Sequence, residues 1–233
     1  MVSDFSAKAN VCRDCNEKSC ATAILHADEL DLIRENSRAT EFSKGDIMIL
    51  EGSLTSHIIY LKSGLVKEYV KNANGKEQIL QIVRQFTYLG LPSLFGDRVN
   101  HHSYAALTDV TVCYIDVNTF TRLIRNNGNF AYEILISISR DSLNNFHRFM
   151  SQSQKKIYGR VADAIIYFSK IIFEQDSFEI PFTRQEFADL LGLSRESVTR
   201  VLTKFKDDGI ISIAGRHIGI LNPDLLQQIS KHG

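Results

Sequence analysis

The sequence has no net charge that would attract it to nucleic acid. Its 27 lysines and arginines balance 27 aspartates and glutamates, so the formal net charge at pH 7 is +0. A long-range field that draws a protein to DNA is therefore absent, and DNA binding would depend on where single charges are placed. The chain also lacks an apolar run close to the roughly 20 residues that a membrane helix needs.

The motifs of common enzyme classes are missing as well. The sequence contains no HExxH motif, no glycine-rich phosphate loop and no pattern of a nucleophile with its base. We therefore expect that the protein is not an enzyme. The first residues carry Asp4, Lys8 and Arg13 without an apolar core, so we expect no signal peptide and a cytoplasmic location. In a reducing compartment the four cysteines are not expected to form structural disulfides.

Residues 182–205 contain the pattern of two short helices joined by a tight turn. Thr183, with Glu186 three residues later, is typical of the capping box that begins a helix. Gly192 can take the left-handed conformation at which that helix ends, and Ser194 is suited to begin a second helix. The second helix is predicted to bury Val198, Val201, Leu202 and Phe205.

The other face of the second helix is polar, with Arg195, Glu196, Thr199, Arg200 and Lys204. A short helix, a glycine turn and a second polar helix indicate a helix-turn-helix, which places its second helix in the DNA major groove. Arginine can bond both acceptors of guanine and glutamate can accept from cytosine, so Arg195, Glu196 and Arg200 are candidate base readers. The alternative is a surface helix with solvated charges, but cap, turn and apolar face all favour DNA binding.

The centre of the chain changes from a strand pattern to a helix pattern. In residues 40–116, short β-branched and aromatic runs are separated by glycines, and Asn74-Gly75 indicates a hairpin turn. This predicts a small antiparallel barrel or jelly roll. Residues 130–150 then show a broad apolar helical stripe, which suits either a plain core helix or a helix that also contacts a second subunit. The polar residues 151–154 are predicted to be a hinge.

These segments resemble the cyclic-AMP receptor/FNR (CRP/FNR) family of bacterial transcription regulators over nearly the whole chain. TRQE, GLSRESVTR and DDGIISIAGRHIGI look like its winged helix-turn-helix, and FSKGDIMILEG, YLKSGLVKEYVKNANGKEQIL and TYLGLPSLF look like its sensory domain. The resemblance implies an α+β fold with a cyclic-nucleotide-binding-like β-roll (jelly roll). The expected parts are a cysteine-containing segment (1–22), the β-roll (23–128), a dimerisation helix (129–153) and a winged helix-turn-helix domain (154–233).

The resemblance also implies roles for single residues and for partners. The expected partners are double-stranded promoter DNA, RNA polymerase and a second copy of the chain, with no membrane. The expected DNA contacts are Arg195, Glu196 and Arg200 at base edges, Thr199 on the same helix face, and Arg184, Gln185, Lys204 and His217 at phosphates or groove walls. The expected dimer contacts are Ile134, Ile138, Asn145 and Phe149.

The sequence departs from the cyclic-AMP-binding members at the nucleotide pocket. Those members use a Gly-Glu pair for the ribose and an Arg-Ser pair for the cyclic phosphate, where this chain has Gly90-Leu91 and His102-Ser103. A leucine cannot accept from a hydroxyl, and a mostly neutral histidine is a poor substitute for the arginine fork. We therefore expect no response to cyclic AMP. His101 and His102 could in principle bind a metal, or they are exposed loop residues.

Three clustered cysteines, Cys12, Cys15 and Cys20, and the distant Cys113 form a second pattern. Four thiolates suit an iron–sulfur cluster or zinc. The arrangement is similar to that of the oxygen-sensing FNR branch, which holds a [4Fe–4S] cluster, and HHSYAALTDVTVCYID looks like the branch's segment around the fourth ligand. That resemblance makes all four cysteines expected cluster ligands. The spacing differs, because four residues separate Cys15 from Cys20 where the branch has five.

Other interpretations of the cysteines stay open. Cys113 lies in an alternating strand, where a buried core cysteine is common. The N-terminal three could bind zinc together with His26, since C-x2-C-x4-C resembles a zinc knuckle. The chain could also be a DNA-binding regulator that holds no cofactor and responds to another small-molecule signal. A more remote alternative is a metalloenzyme that uses the cysteine site. The preferred interpretation is a dimeric DNA-binding regulator that senses oxygen or redox state through an iron–sulfur cluster.

Overall fold

A computed structural model of the chain describes residues 19–233, with only the backbone of Cys20. Cys12 and Cys15 lie outside the described residues. The chain forms two compact units, the first comprising the residues up to Leu65 together with Arg84–Asp141, and the second comprising Val66–Val83 and Ser142–Gly233. Between residues 19 and 233, no helix combines the length and apolar character needed to cross a lipid bilayer.

Short strands dominate the first half of the described chain and helices the second. Up to residue 95 the elements are α1 (Cys20–Ala23), α2 (Ala27–Glu35), β1 (Ser37–Phe42), β2 (Ile47–Ile49), β3 (His57–Ser63), β4 (Leu65–Lys71), β5 (Glu77–Arg84), β6 (Thr87–Leu89) and α3 (Leu91–Phe95). They continue with β7 (Ser103–Ala106), β8 (Val110–Asp116), α4 (Val117–Asn126), α5 (Gly128–Gln154), α6 (Ile157–Tyr167), β9 (Ser177–Glu179), α7 (Arg184–Leu191), α8 (Arg195–Asp207), β10 (Ile211–Ala214), β11 (His217–Ile220) and α9 (Pro223–His232). The predicted change from strand to helix pattern is confirmed.

The sheet of the first unit has the order β1-β8-β3-β6, and its pairs are antiparallel. In the central strand β8, Cys113 lies opposite Ala39 of β1 on one side and opposite Tyr60 of β3 on the other. A second antiparallel pair joins β2 to β7. Directly opposed residues point to the same face of a sheet, so Cys113 and Tyr60 share a face.

An aromatic cluster fills the core on that face. The ring of Tyr88 lies 4.8 Å from that of Tyr60 and 5.3 Å from that of Phe120, and Phe120 lies 5.6 Å from Phe130 of α5. These distances suit favourable ring packing, and all four side chains are buried. The same core takes in α1 through Ala21, β8 through Cys113 and Ile115, and α5 through Phe130 and Ile134.

The long helix α5 requires two corrections to the sequence analysis. The predicted hinge at residues 151–154 is wrong, because α5 stays helical to Gln154 and the chain leaves the helix only at Lys155 and Lys156. Ile134 is wrong as a dimer contact, because it is 2% exposed in the core of its own chain. Ile138 also packs partly against that core.

An exposed apolar stripe remains on α5. It consists of Tyr132, Leu135, Leu143, Phe146 and Phe149, each between 58% and 66% exposed in the single chain. The predicted contact Phe149 belongs to this stripe, and the predicted contact Asn145 is exposed beside it. Such a row of large apolar side chains is unusual on a free surface and indicates an interaction site.

The second unit combines the strands β4 and β5 with a winged helix-turn-helix. The predicted hairpin turn is confirmed, since Gly75 takes a positive φ of 76° and its N–H donates to Asn72 O at 2.8 Å. The wing is an antiparallel sheet of order β10-β11-β9. Phe168, fully buried in the π-helical turn after α6, packs against Phe182 and Phe187 at the centre of this unit.

Candidate functional sites

The helix-turn-helix forms as its local signals predict. Thr183 N–H donates to the Glu186 carboxylate at 2.8 Å, and Glu186 N–H donates to Thr183 Oγ1 at 3.2 Å, which completes the capping box. Gly192 ends α7 in the left-handed conformation, with φ 62° and ψ 36°. Ser194 accepts from Ser197 N–H at 3.2 Å and begins α8. The buried face of α8 is the predicted set Val198, Val201, Leu202 and Phe205.

The five polar residues predicted for the outer face of α8 are all exposed. Arg200 forms no hydrogen bond or ion pair inside the described chain, so its guanidinium is available to a partner. Lys204 Nζ binds Asp208 at 2.7 Å, and this pairing raises the pKa of Lys204. The backbone N–H of Glu196 itself and the Ser194 hydroxyl lower the pKa of the Glu196 carboxyl, which stays an acceptor at neutral pH.

The remaining predicted DNA contacts lie on α7 and the wing. Arg184 is half-buried and its Nη2 donates to Gly215 O at 3.4 Å, which connects α7 to the wing turn. Gln185 donates to Asp189 at 2.8 Å, and His217 Nε2 shares a hydrogen bond of 2.7 Å with Ser177 Oγ. Both side chains are exposed, yet each already has a partner in the chain.

Sequence reasoning did not name Arg216 among the candidate DNA contacts. Arg216 is exposed in the wing turn and lines, with Arg184 and Arg195, a cavity of about 470 Å³ between α7, α8 and the wing. Three guanidinium groups around one concave surface suit a DNA phosphate, the group to which most protein–DNA hydrogen bonds go. The signal in the sequence was a single cation at the tip of a predicted hairpin, which alone is too common to mark a contact.

A contact of α7 with the β4–β5 hairpin was also missed. Lys67 Nζ lies 3.2 Å from Glu186 Oε1 and 2.5 Å from Glu77 Oε2, and its side chain is only 13% exposed. Gln78 Nε2 donates to the backbone oxygen of Asp189 at 2.7 Å. The hairpin therefore holds the first helix of the helix-turn-helix near its beginning and near its end.

The Lys67 site is charged at neutral pH. Burial alone raises the pKa of Glu186, but the Thr183 N–H and the charge of Lys67 outweigh it, so this pKa lies below its ordinary value. Burial lowers the pKa of Lys67, but the hydrogen bonds and charges of Glu77 and Glu186 outweigh it, so this pKa lies above its ordinary value. Each group thus stabilises the charged form of the other.

The cysteine site is described in part. Cys113 is 6% exposed in the aromatic core. Ser19 N–H donates to Tyr60 Oη at 2.8 Å, and Thr22 Oγ1 shares a hydrogen bond of 2.7 Å with Tyr88 Oη. Burial raises the pKa of Tyr88, so this hydroxyl stays protonated. These bonds place the start of α1, which begins at Cys20, on the face of the sheet that carries Cys113.

These positions fit a thiolate-bound cofactor as far as the described chain extends, because Cys113 is buried and the chain at Cys20 reaches the residues beside it. Among the described side chains, which do not include that of Cys20, no three His, Cys, Asp or Glu residues converge in a metal-binding group. The alternative ligand His26 is exposed at the start of α2, where its N–H donates to Glu29 at 2.9 Å.

The region expected to be the nucleotide pocket contains a buried leucine and, within the described chain, a cavity without a lysine or arginine. Leu91 begins α3 and is 2% exposed in the aromatic core. A cavity of about 400 Å³ beside α3 is lined by Asp97, His101, His102 and other residues, and within the described chain no arginine or lysine lines it. His101 Nε2 lies 2.9 Å from Asp97 Oδ2, so the exposed histidine is held by a carboxylate.

The strand-rich domain, the long helix and the winged helix-turn-helix define a class of DNA-binding transcription regulators. Two domain profiles match the sequence, the Crp-like helix-turn-helix domain at residues 159–229 and the cyclic nucleotide-binding domain at residues 39–127. The chain belongs to the CRP/FNR family of transcription regulators.

Individual relatives agree with this assignment. The chain is 27% identical over 229 residues to the fumarate and nitrate reduction regulatory protein of Escherichia coli (strain K12), covering 95% of this chain and 90% of that protein. The protein of the same name from Vibrio cholerae serotype O1 is 27% identical over 227 residues, covering 94% and 90%.

Solved structures show the same fold. FixK2 from Bradyrhizobium japonicum superposes with a TM-score of 0.77 at 18% identity, covering 83% of this chain and 96% of that one. A transcriptional regulator of the crp/fnr family from Eubacterium rectale superposes with a TM-score of 0.70 at 20% identity, covering 89% and 95%.

We expect Lys67→Met to destabilise the protein by about 1–3 kcal/mol at pH 7, because two partly buried carboxylates lose their cation. The depressed pKa of Glu186 gives stability that is present above its unfolded pKa and is lost as the pH falls through the folded pKa. The variant should therefore lose less stability than the wild type between neutral and acidic pH. Urea unfolding at both pH values measures this difference.

The matched control is Lys62→Met, which changes a half-buried lysine of β3 without an ion pair inside the described chain. It should leave both the stability at pH 7 and the pH dependence nearly unchanged. Equal losses in the two variants would mean that the contact of Lys67 with α7 contributes no specific stability.

Proposed function

We propose that this chain is a homodimeric regulator that acts with RNA polymerase at promoters in the cytoplasm and senses oxygen or redox state. An iron–sulfur cluster bound by Cys12, Cys15, Cys20 and Cys113 would be the sensor. The observation that carries this proposal is the shared core of the buried Cys113 and the start of α1. The named relatives regulate fumarate and nitrate reduction, which suits a redox signal.

The residues around Cys113 offer a direct route from the sensor to the dimer helix. Tyr88, bonded to Thr22 of α1, packs 6.4 Å from Phe130 near the beginning of α5. A change in how the N-terminal segment is held would therefore reach α5 through one side chain. A segment that changes between an ordered and a disordered state beside an interface is a common way to shift the equilibrium between two conformations.

When bound, a [4Fe–4S] cluster would supply sensitivity to oxygen, while the chain's own residues would supply ligands and anchoring. The four cysteines would be the ligands. Ser19 and Thr22 would hold the segment on the sheet through the hydroxyls of Tyr60 and Tyr88.

Cyclic AMP does not fit this chain as the signal. A cyclic phosphate needs a cation, but Asp97 lines the cavity beside α3. The Val99 N–H and the His101 side chain lower the pKa of Asp97, so it is an anion at neutral pH. Leu91 packs into the core and offers no acceptor for a ribose hydroxyl.

For DNA, we propose base contacts by Arg195, Glu196 and Arg200, a further contact by Thr199 on the same helix face, and phosphate or groove-wall contacts by Arg184, Gln185, Lys204 and His217. Arg200→Ala should weaken binding to a specific site by about 1–3 kcal/mol and change binding to random duplex little, because it removes a base contact. Lys204→Ala should weaken both equally and reduce the salt dependence, because it removes a phosphate contact.

The measurement is a titration of each variant with a duplex selected from a random library and with an unselected duplex, at two salt concentrations. Lys204→Ala is the matched control, since it removes a cation from the same helix face. A loss of equal size on both duplexes for Arg200→Ala would exclude base reading by this residue.

For assembly, we propose that the exposed stripe of α5 is the dimer interface. Phe146→Glu should give a folded monomer, because Phe146 is 58% exposed in the single chain yet would become a buried charge in a dimer, at a cost of several kcal/mol. Sedimentation velocity measures the mass, and circular dichroism checks the fold.

The control for the dimer test is Asn144→Glu. Asn144 is exposed and lies two positions before Phe146, so the two side chains are about 200° apart around the helix. The substitution therefore adds the same charge away from the stripe. It should leave the dimer intact. A dimer of undiminished stability in Phe146→Glu would place the interface on another surface.

For the sensor, protein purified without air should be brown, contain about four irons per chain and lose colour and specific DNA binding in air. Cys113→Ser and Cys15→Ser should both abolish the colour, because each removes one ligand. Tyr114→Phe, the neighbouring position on β8, should keep the colour. Iron analysis and absorbance of anaerobic samples make the comparison.

One result would replace the sensor proposal with a structural zinc site. In that case the anaerobic protein is colourless and carries one zinc, Cys15→Ser loses the metal and Cys113→Ser keeps it. The DNA contacts would be unaffected by that outcome, since they depend on residues of the other unit.

A further inference from the structure

A second cavity lies in the second unit, away from the wing and from the cysteine core. Its volume is about 170 Å³, and the end of α5, the face of α6 and the end of α7 line it. Most of its wall is apolar, with contributions from Ala164, Leu190 and Leu191. The exceptions include Arg148 and Arg160, which also line the cavity.

Arg148, a residue of this wall, has a hydrogen-bond donor without an acceptor. Its Nη1 is buried and has no hydrogen-bond partner among residues 19–233. Arginine stays charged in proteins, and a buried charged donor without an acceptor costs free energy. Buried donors in folded proteins are rarely left without an acceptor, so an acceptor from outside the described chain is expected here.

The neighbouring carboxylates do not accept a hydrogen bond from Arg148 Nη1. Glu68 contributes attraction to Arg148, but its carboxylate accepts a hydrogen bond of 2.5 Å from Gln81. Asp163, the carboxylate in the cavity wall, is bound to Lys155 Nζ at 2.7 Å and to Ser151 Oγ at 2.5 Å.

The remaining cation of the wall is also oriented by the chain. Arg160 Nε donates to Lys155 O at 3.1 Å, which holds its guanidinium at the edge of the cavity. Since Asp163 is already paired with Lys155, the two arginines leave the cavity with an excess of positive charge.

We propose that this cavity binds a small monocarboxylate with an apolar body, its carboxylate on Arg148 and its body against Ala164 and the end of α7. A guanidinium fork matches a carboxylate in geometry and charge. The apolar wall explains why a carboxylate with a hydrocarbon body fits better than a bare phosphate. This site is independent of the cysteines and would give the regulator a second input.

The dimer stripe does not cover this site. Arg148 follows Phe146 by two positions, which is about 200° around a helix, so the two side chains leave α5 on nearly opposite sides. A ligand in the cavity would contact the end of α5 and the end of α7, which lies directly before α8. Occupancy is therefore expected to change DNA affinity as well as stability.

The test is thermal unfolding and calorimetric titration of the full chain with benzoate, and with benzamide as the neutral isostere. Benzoate should raise the melting temperature and benzamide should not. Arg148→Met should abolish the shift, and Arg148→Lys, which keeps charge but loses the fork, should weaken binding at least about tenfold. Arg140→Met, an exposed arginine of the same helix, should bind benzoate as the wild type does.

A second readout separates this role from a structural one. Without benzoate, Arg148→Met should melt at the same temperature as the wild type or higher, because a buried charge without a full set of partners has been removed. A lower melting temperature would indicate that Arg148 is a structural contact and would overturn the proposal.

Three further outcomes would overturn it. Benzoate could raise the melting temperature of Arg148→Met as much as that of the wild type, which would mean that benzoate binds at another site. Inorganic phosphate could bind more tightly than benzoate in an Arg148-dependent way, which would exclude the carboxylate class. Absence of any heat or shift up to high millimolar benzoate would mean that Arg148 finds its acceptor in a second copy of the chain or in ordered water.

Discussion

Two buried tyrosine hydroxyls tie the N-terminal segment to the sheet. A buried hydroxyl without a partner costs about 1–3 kcal/mol, and Ser19 and Thr22 supply the partners of Tyr60 and Tyr88. The ring of Tyr88 also packs against Phe130. The same pair of side chains therefore contacts the segment around Cys20, the sheet that carries Cys113 and the helix proposed to join two copies.

The surface proposed to bind DNA shows how a chain with a net charge of +0 can approach a polyanion. Three arginines from different elements, Arg184, Arg195 and Arg216, surround one cavity, and Arg200 stands unpaired within the described chain on the exposed face of α8. Cationic character is thus concentrated by folding rather than by composition. Such a surface attracts DNA mainly at short range, because a chain without net charge has little long-range attraction. Binding therefore depends on how well the phosphates align with the individual arginines.

The helix-turn-helix could be predicted from the sequence because its signals are local, with cap and turn residues only a few positions apart. The hydrophobic period of α5 could not separate Ile134 from Phe149, since both lie in a broad apolar arc and only packing decides which one faces the chain's own core. The contact of Lys67 with Glu186 joins residues 119 positions apart and has no local signal. Polar composition alone predicted a hinge at residues 151–154, but serine and glutamine are tolerated in the last turn of a helix.

The second unit is assembled from two separate stretches of chain, Val66–Val83 and Ser142–Gly233. Asp189 of α7, only 9% exposed, receives Lys76 Nζ at 3.0 Å from the earlier stretch, and Gln78 binds its backbone oxygen. A fragment cut before α6 would contain every proposed DNA contact but would lose these partners of α7. The proposed DNA contacts are thus contiguous in sequence, yet the helix α7 that carries two of them is also contacted by side chains from a stretch more than 100 residues earlier in the chain.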